Sequence, residues 1–320
     1  MTGAKAMAAL ASMRADASPL TGKHPAHVFR PLSEMLSRWA AAGIDTTLFH
    51  AGVENAKRRY AGYGLTKILP TDRVLVGCES SRVGAFGGFH HPDQGYRHLQ
   101  MVAVITMYGP MERQNPERPA LALLDLLRAY AHDCLHYGSR RRYVEVAGVP
   151  VRTQYGINYR RTSGQSYSAA DQRGSHHTRN LGIVMEGACD KEARTITRQT
   201  AERFGVTEPS DVLGALAFRD ATGTLAKEDV GRVVLVPESE EQNRYAAALS
   251  GYEKGVNRRY AHFLDEFAPG EESECHMRLL TAMISGDATA LGTWLDERHG
   301  PGTFMGLFRT PGYFDPSLTA

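Results

Sequence analysis

The chain predicts an α+β fold in which short strands surround one buried helix and a mostly helical C-terminal part follows. Three observations carry this. Two short segments, 73–78 and 99–108, are rich in β-branched residues, which favour the pleated strand. The longest apolar run, 120–137, is apolar nearly all round, so a helix there belongs inside the protein. From about 238 to 298 the apolar residues recur at helical spacing, enough for three or four amphipathic helices.

At 42% hydrophobic and 22% charged residues, 320 residues can bury a large core as one large domain or two lobes. A net charge of +2 is too small to point to nucleic acid or to a membrane surface. The basic runs Arg140-Arg141-Arg142 and Arg160-Arg161 read as solvated surface. No apolar stretch approaches the roughly 18 residues of a membrane span, and 6–13 is too short and broken for a secretory leader. The expectation is a soluble cytoplasmic protein, with export lacking a cleavable signal still open and oligomeric state unreadable. Cys78, Cys134, Cys189 and Cys275 are widely spaced, which excludes a cysteine-rich zinc module and does not suggest a disulfide framework.

In chain order, residues 1–24 read as a loose N-terminal arm. Leu32, Met35, Leu36 and Trp39 recur at helical spacing, and Gly43 closes that helix. A second helix is expected over 49–60. Between the two strand segments, 84–96 reads as a polar loop, with His90-His91 as a solvated turn. The buried helix 120–137 ends at Gly138, and Asp125, Arg128, His132 and His136 break its apolar surface on one side. Buried polar groups need partners, so that side faces a cleft, a metal or other polar groups. Residues 143–146 and 149–153 flank Ala147-Gly148 as a hairpin, and 155–161 is extended. A long polar loop, 162–180, precedes a helix over 181–204 closed by Gly205. Ser210 is the expected N-cap of a helix over 211–218, 231–237 is a late strand, and the tail after Gly300 packs irregularly. This divides the chain into a metal-bearing α+β region, 25–205, and a C-terminal helical region, 206–320, packed on it.

His132 and His136 lie four apart, so a helix projects both from one face. Neutral imidazole is the commonest protein ligand for a transition metal. Zinc needs a further protein ligand and an open position for water. Glu186, on the next long helix, supplies the ligand. Asp190, one turn on, can accept the outer ring N–H of a ligating histidine and fix its tautomer.

His132-Asp133-Cys134-Leu135-His136, together with Glu186-Gly187-Ala188-Cys189-Asp190, resembles the active site of the gluzincin metallopeptidases, the thermolysin-like zincins. The resemblance covers roughly residues 120–205. It implies a zincin-like fold, in which a small mixed sheet packs on the buried active-site helix, and a zinc ion (Zn2+) held by His132, His136 and Glu186. Asp190 would be the outer partner, and a peptide or protein the substrate. The family has glutamate where this chain has Asp133, a carboxylate one methylene shorter but still able to take a proton from metal-bound water. Tyr155, Tyr159, Tyr167, His176, His177 and His262 are candidates for stabilising the oxyanion or touching substrate.

Two other readings stand beside it. His98, His132-Asp133 and Asp190 resemble the metal ligands of HD-domain phosphohydrolases, which requires His98 on a helix in a nearly all-helical core. A zincin-like scaffold that keeps its ligands but only binds a partner is the third. Without a metal, His132, His136 and Glu186 would be satisfied polar groups in a helix pair.

Overall fold

A computed structural model describes residues 27–80, 87–91, 96–100, 118–163, 166–232, 247 and 249–309. The fold is mixed α+β and mostly helical. Strand β1 (His27–Pro31) leads directly into helix α1 (Leu32–Ala41), which buries Leu32, Met35, Leu36 and Trp39, the positions its spacing selects. Gly43 then turns the chain with φ +87°, a conformation that costs glycine nothing. Helix α2 (Thr47–Gly62) is followed by strands β2 (Val74–Ser80), β3 (Gly87–His91) and β4 (Tyr96–Gln100).

With β1 these strands form a four-stranded mixed sheet ordered β1-β2-β4-β3, in which only β2 and β4 run parallel. The loop expected over 84–96 is therefore corrected. His90 and His91 lie in β3, opposite Arg97 and Tyr96 of β4. Paired backbone groups outweigh the turn preference of the neighbouring glycines. The strand expected over 99–108 starts earlier, at Tyr96, and 101–108 lie outside the described residues.

Helix α3 (Pro119–Gly138) is the apolar run, with Leu121, Leu123, Leu124, Leu126, Leu127 and Leu135 all buried. Strands β5 (Arg141–Val146), β6 (Val149–Tyr155) and β7 (Asn158–Tyr159) form a three-stranded antiparallel sheet. Its hairpin turns at Ala147 and Gly148, both with positive φ as a two-residue hairpin loop requires. Helix α4 (Leu181–Arg203) starts where the Asn180 side chain accepts the Gly182 N–H at 2.8 Å.

Beyond α4 three expectations change. The cap of helix α5 (Val212–Thr222) is Asp211, not Ser210; its carboxylate accepts the Gly214 N–H at 2.8 Å and pairs with Arg118 at 2.6 Å. Gly231 and Arg232 end helix α6 (Lys227–Arg232) instead of opening a strand, because Val230 is buried and the Asp229 carboxylate accepts the Ala226 N–H; 233–237 lie outside the described residues. After a π-helical turn (Glu253–Asn257) come α7 (Arg258–Phe267), α8 (Glu272–Ser285) and α9 (Thr289–His299). The tail then forms α10 (Thr303–Arg309), ordered by burial of Phe304, Leu307 and Phe308. Among the described residues, no helix is long and apolar enough to cross a membrane.

Helix α4 is the hub, with α2, α3, α5, α7 and α8 all packed against it. Close approach is built in at Gly187, where an added Cβ would lie 2.3 Å from Cβ of Tyr260 on α7. On another face of α4, Glu192 is 1% exposed and is held by Arg59 of α2 (2.5 and 3.0 Å), the Tyr63 hydroxyl (3.0 Å) and His276 of α8 (3.3 Å). Burial pushes its pKa up, but His276 and Arg59 outweigh that and bring it down to about 2.

The hub carries two expectations for stability. Gly187→Ala must push α7 away, because Cβ of Tyr260 cannot swing aside, and should cost about 1–3 kcal/mol in denaturant unfolding. Gly251→Ala, also helical and with nothing within 4 Å of an added Cβ, serves as the control and should stabilise by up to about 1 kcal/mol. Glu192→Gln leaves the partly exposed Arg59 facing a neutral amide and should cost about 1–3 kcal/mol. Because the folded pKa of Glu192 lies below its unfolded value, its contribution is complete above about pH 4.5 and fades as the pH falls towards 2. A Glu192→Gln variant with the acid-unfolding profile of the parent would refute this.

Candidate metal centre

Two stripes of side chains, each with four-residue spacing, face one another across α3 and α4. Arg128, His132 and His136 lie on α3; Glu186, Asp190 and Arg194 lie on α4. A four-residue step advances a helix by one turn plus about 40°, so each triplet stays on one side. The stripes interlock in antiparallel order. His136 meets Glu186, His132 lies between Glu186 and Asp190, and Arg128 meets Asp190.

Three ligand-type atoms converge at one end. His132 Nε2 and His136 Nε2 are 2.8 Å apart, and the two oxygens of Glu186 lie 3.3 Å from the first and 3.0 Å from the second. Among the described residues, this is the group of histidine, cysteine and acidic side chains whose ligand atoms gather closely enough to hold a metal ion, all within 4.8 Å. Zinc bonds of about 2.0–2.1 Å at tetrahedral angles need nitrogens about 3.4 Å apart. The rings would therefore separate by roughly half an ångström to admit an ion, within reach of small χ adjustments.

The outer nitrogen of each histidine faces a partner, at hydrogen-bond distance for His136 and at longer range for His132. His136 Nδ1 lies 2.7 Å from the Tyr155 hydroxyl, which in turn donates to the His136 carbonyl at 3.3 Å. The inner Nε2 of His136 faces the Glu186 carboxylate at 3.0 Å. His132 Nδ1 is 3.7 Å from Asp190, an ion-pair distance longer than a hydrogen bond. Asp190 itself is clamped by Arg128 through two hydrogen bonds, at 2.9 and 3.0 Å, and by Arg194 at 2.9 Å. Both arginines also reach Asp220 of α5, and Arg194 pairs with Glu253 at 3.0 Å.

The electrostatics follow from these distances. Burial disfavours the His132 imidazolium, but Glu186 and Asp190 outweigh it and raise the pKa to about 10. Burial likewise opposes the Glu186 and Asp190 carboxylates; the histidines hold the first well below the usual range, and Arg128 and Arg194 the second. Tyr252, just before the π-helical turn, donates its hydroxyl to Oε1 of Glu186 at 3.1 Å. Burial and the carboxylates of Asp190 and Glu186 push its phenol well above the usual tyrosine range, so it remains a proton donor.

The structure thus brings together His132, His136, Glu186 and Asp190, with Tyr155 behind His136. Asp133 is 7% exposed and is not one of the three converging ligands. Tyr159 donates to the Gly286 carbonyl at 3.2 Å, and Tyr167 is exposed under the Arg161 guanidinium. His176, His177 and His262 are exposed; His177 lies 3.4 Å from Glu266 and 5.7 Å, ring to ring, from His262. None of these five belongs to the converging group. His98 lies on strand β4, not on a helix, opposite Leu75 of β2. Sequence reasoning missed Arg194 and Tyr252. Arg194 continues the Glu186/Asp190 spacing and was findable from it, whereas nothing in the local pattern marks Tyr252.

No family model matches the chain. No curated protein and no solved structure matches it either. The functional reading therefore rests on the geometry of α3 and α4.

A metal entering this site must displace the proton of His132. Between pH 6 and 8, below the His132 pKa of about 10, apparent zinc affinity should rise about tenfold per pH unit. Calorimetry in buffers of different ionisation enthalpy should record release of about one proton. A pH-independent affinity would refute a protonated His132 in the metal-free chain.

Proposed function

We propose that the chain is a zinc-dependent hydrolase and, within that class, a metallopeptidase with a gluzincin-like site in a zincin-like fold. The observation that supports it is the convergence of His132 Nε2, His136 Nε2 and the Glu186 carboxylate, with the outer nitrogen of each histidine facing its own partner. Two imidazoles and one carboxylate suit zinc and leave a coordination position for water. When bound, the ion supplies a Lewis acid and lowers the pKa of water towards neutrality.

The chain's own groups divide the remaining work. Tyr155 and Asp190 hold the two rings in orientation. The resemblance gives Asp133 the proton transfer, from attacking water to the leaving nitrogen as the peptide C–N bond breaks. The substrate is a peptide or protein. Cys134 and Cys189, buried thiols on α3 and α4, suit a reducing compartment, and we assign the activity to the cytoplasm.

The donor geometry favours this reading over the HD-type phosphohydrolase. In that alternative Asp190 would bind the metal, but its oxygens are engaged by Arg128 and Arg194, and it faces His132 Nδ1 rather than the converging Nε2. His98 stands on a strand.

Metal analysis of purified protein should give about one zinc per chain, lost in His132→Ala and in Glu186→Ala. Asp133→Asn should keep the zinc and lower cleavage of a proteome-derived peptide mixture at least about a hundredfold. Zinc retained in Glu186→Ala but lost in His98→Ala would turn the assignment to the phosphohydrolase. Iron in place of zinc would point to oxygen chemistry, since the same donor set serves iron(II). Zinc without cleavage, persisting in Asp133→Glu, would favour a binding scaffold.

A further inference from the structure

Glu186 presents two oxygens in different company. Oε2 lies 3.0 Å from His136 Nε2, whereas Oε1 lies 3.3 Å from His132 Nε2 and accepts the Tyr252 hydroxyl at 3.1 Å. A carboxylate binding a metal through both oxygens would fill two positions and, with two imidazoles, complete four-coordination. Bound through one oxygen, it leaves the fourth position open to water.

We propose that Tyr252 is a positioning residue that holds Oε1 of Glu186 off the metal, so that Glu186 binds through Oε2 alone and one coordination position stays open. This rests on the reading that His132, His136 and Glu186 form a metal site. Tyr252 is itself fixed from two directions. Its ring lies 6.0 Å from the guanidinium of Arg128, the same group that clamps Asp190 behind His132. The next residue, Glu253, is buried, pairs with Arg194 at 3.0 Å and accepts from Asn257 at 2.9 Å across the π-helical turn. Such a turn inserts one residue into a helix and rotates the residues after it relative to those before it. Tyr252 and Glu253 can thereby face α4 while α7 buries Tyr260, Phe263 and Leu264 beyond them. The outer contacts of Glu186 and His132 thus converge on the Arg128–Asp190–Arg194 cluster.

The test uses cobalt(II) in the full-length chain, because its visible absorption is sensitive to coordination number. The wild-type site should bind one equivalent, and added azide should change the spectrum by taking the open position. Tyr252→Phe keeps the ring beneath Arg128 and removes only the hydroxyl. It should still bind one equivalent, with an altered spectrum before azide is added and azide affinity at least about tenfold weaker. Glu253→Gln, which loosens the segment but keeps the hydroxyl, should shift both readouts in the same direction, and serves should Tyr252→Phe fail to fold. Wild-type spectra and azide affinity in the folded variants would overturn the role of Tyr252. A wild-type chain that binds no cobalt, or a Glu186→Ala chain that binds it as well, would instead overturn the metal site and this proposal with it.

Discussion

The antiparallel interlock of Arg128/His132/His136 with Glu186/Asp190/Arg194 is the constraint on which the rest of the arrangement depends. It places cations and anions alternately inside a helix interface that is otherwise apolar. An isolated charge there would be expelled or neutralised, since desolvation costs several kcal/mol per ion. The stripe persists because each member meets an opposite charge or a hydrogen-bond partner, across the interface for five of them and, for Arg194, on α4, on α5 and at the π-helical turn. Asp190 is the keystone, with two guanidinium groups and one imidazole around one carboxylate. That balance fixes the register between α3 and α4, and the register decides which atoms meet at the far end.

A consequence is that the scaffold holds the side chains of the candidate metal centre close together. Buried ion pairs are weak contributors to net stability but good determinants of a unique arrangement, the role they have in this interface. The second polar cluster, around Glu192, reinforces α4 from another face by tying it to α2 and α8. Gly187 lets Tyr260 approach one residue from Glu186. Helix α4 therefore has polar specification on two sides and close packing between them, a combination that leaves it little freedom to rotate or slide.

Much of the fold was legible in the local pattern. The spacing of Leu32, Met35, Leu36 and Trp39, the apolar run of α3 and the Ala147-Gly148 turn each express a short-range rule, and each element formed where that rule puts it. The departures came where a distant partner overrode the local preference. His90 and His91 sit beside glycines and a proline, yet β4 takes up their backbone groups. Residues 303–309 carry turn-forming neighbours, yet burial of Phe308 makes them helical. Gly231 sits before a β-branched run, yet the Asp229 side chain tightens the preceding turn into a helix.

The sequence by itself determined the two four-residue spacings, and with them which side of each helix carries polar groups, because helical periodicity is a local property. It could pair His132 and His136 with Glu186 and Asp190 only by spacing and by resemblance. Only the tertiary structure decided that Nε2 of each ring faces inward, that Arg128 and Arg194 share Asp190, and that Tyr252 reaches Glu186 across 66 residues of chain. These depend on the rotation and register of packed helices, which are set by the sum of distant contacts rather than by any stretch of chain.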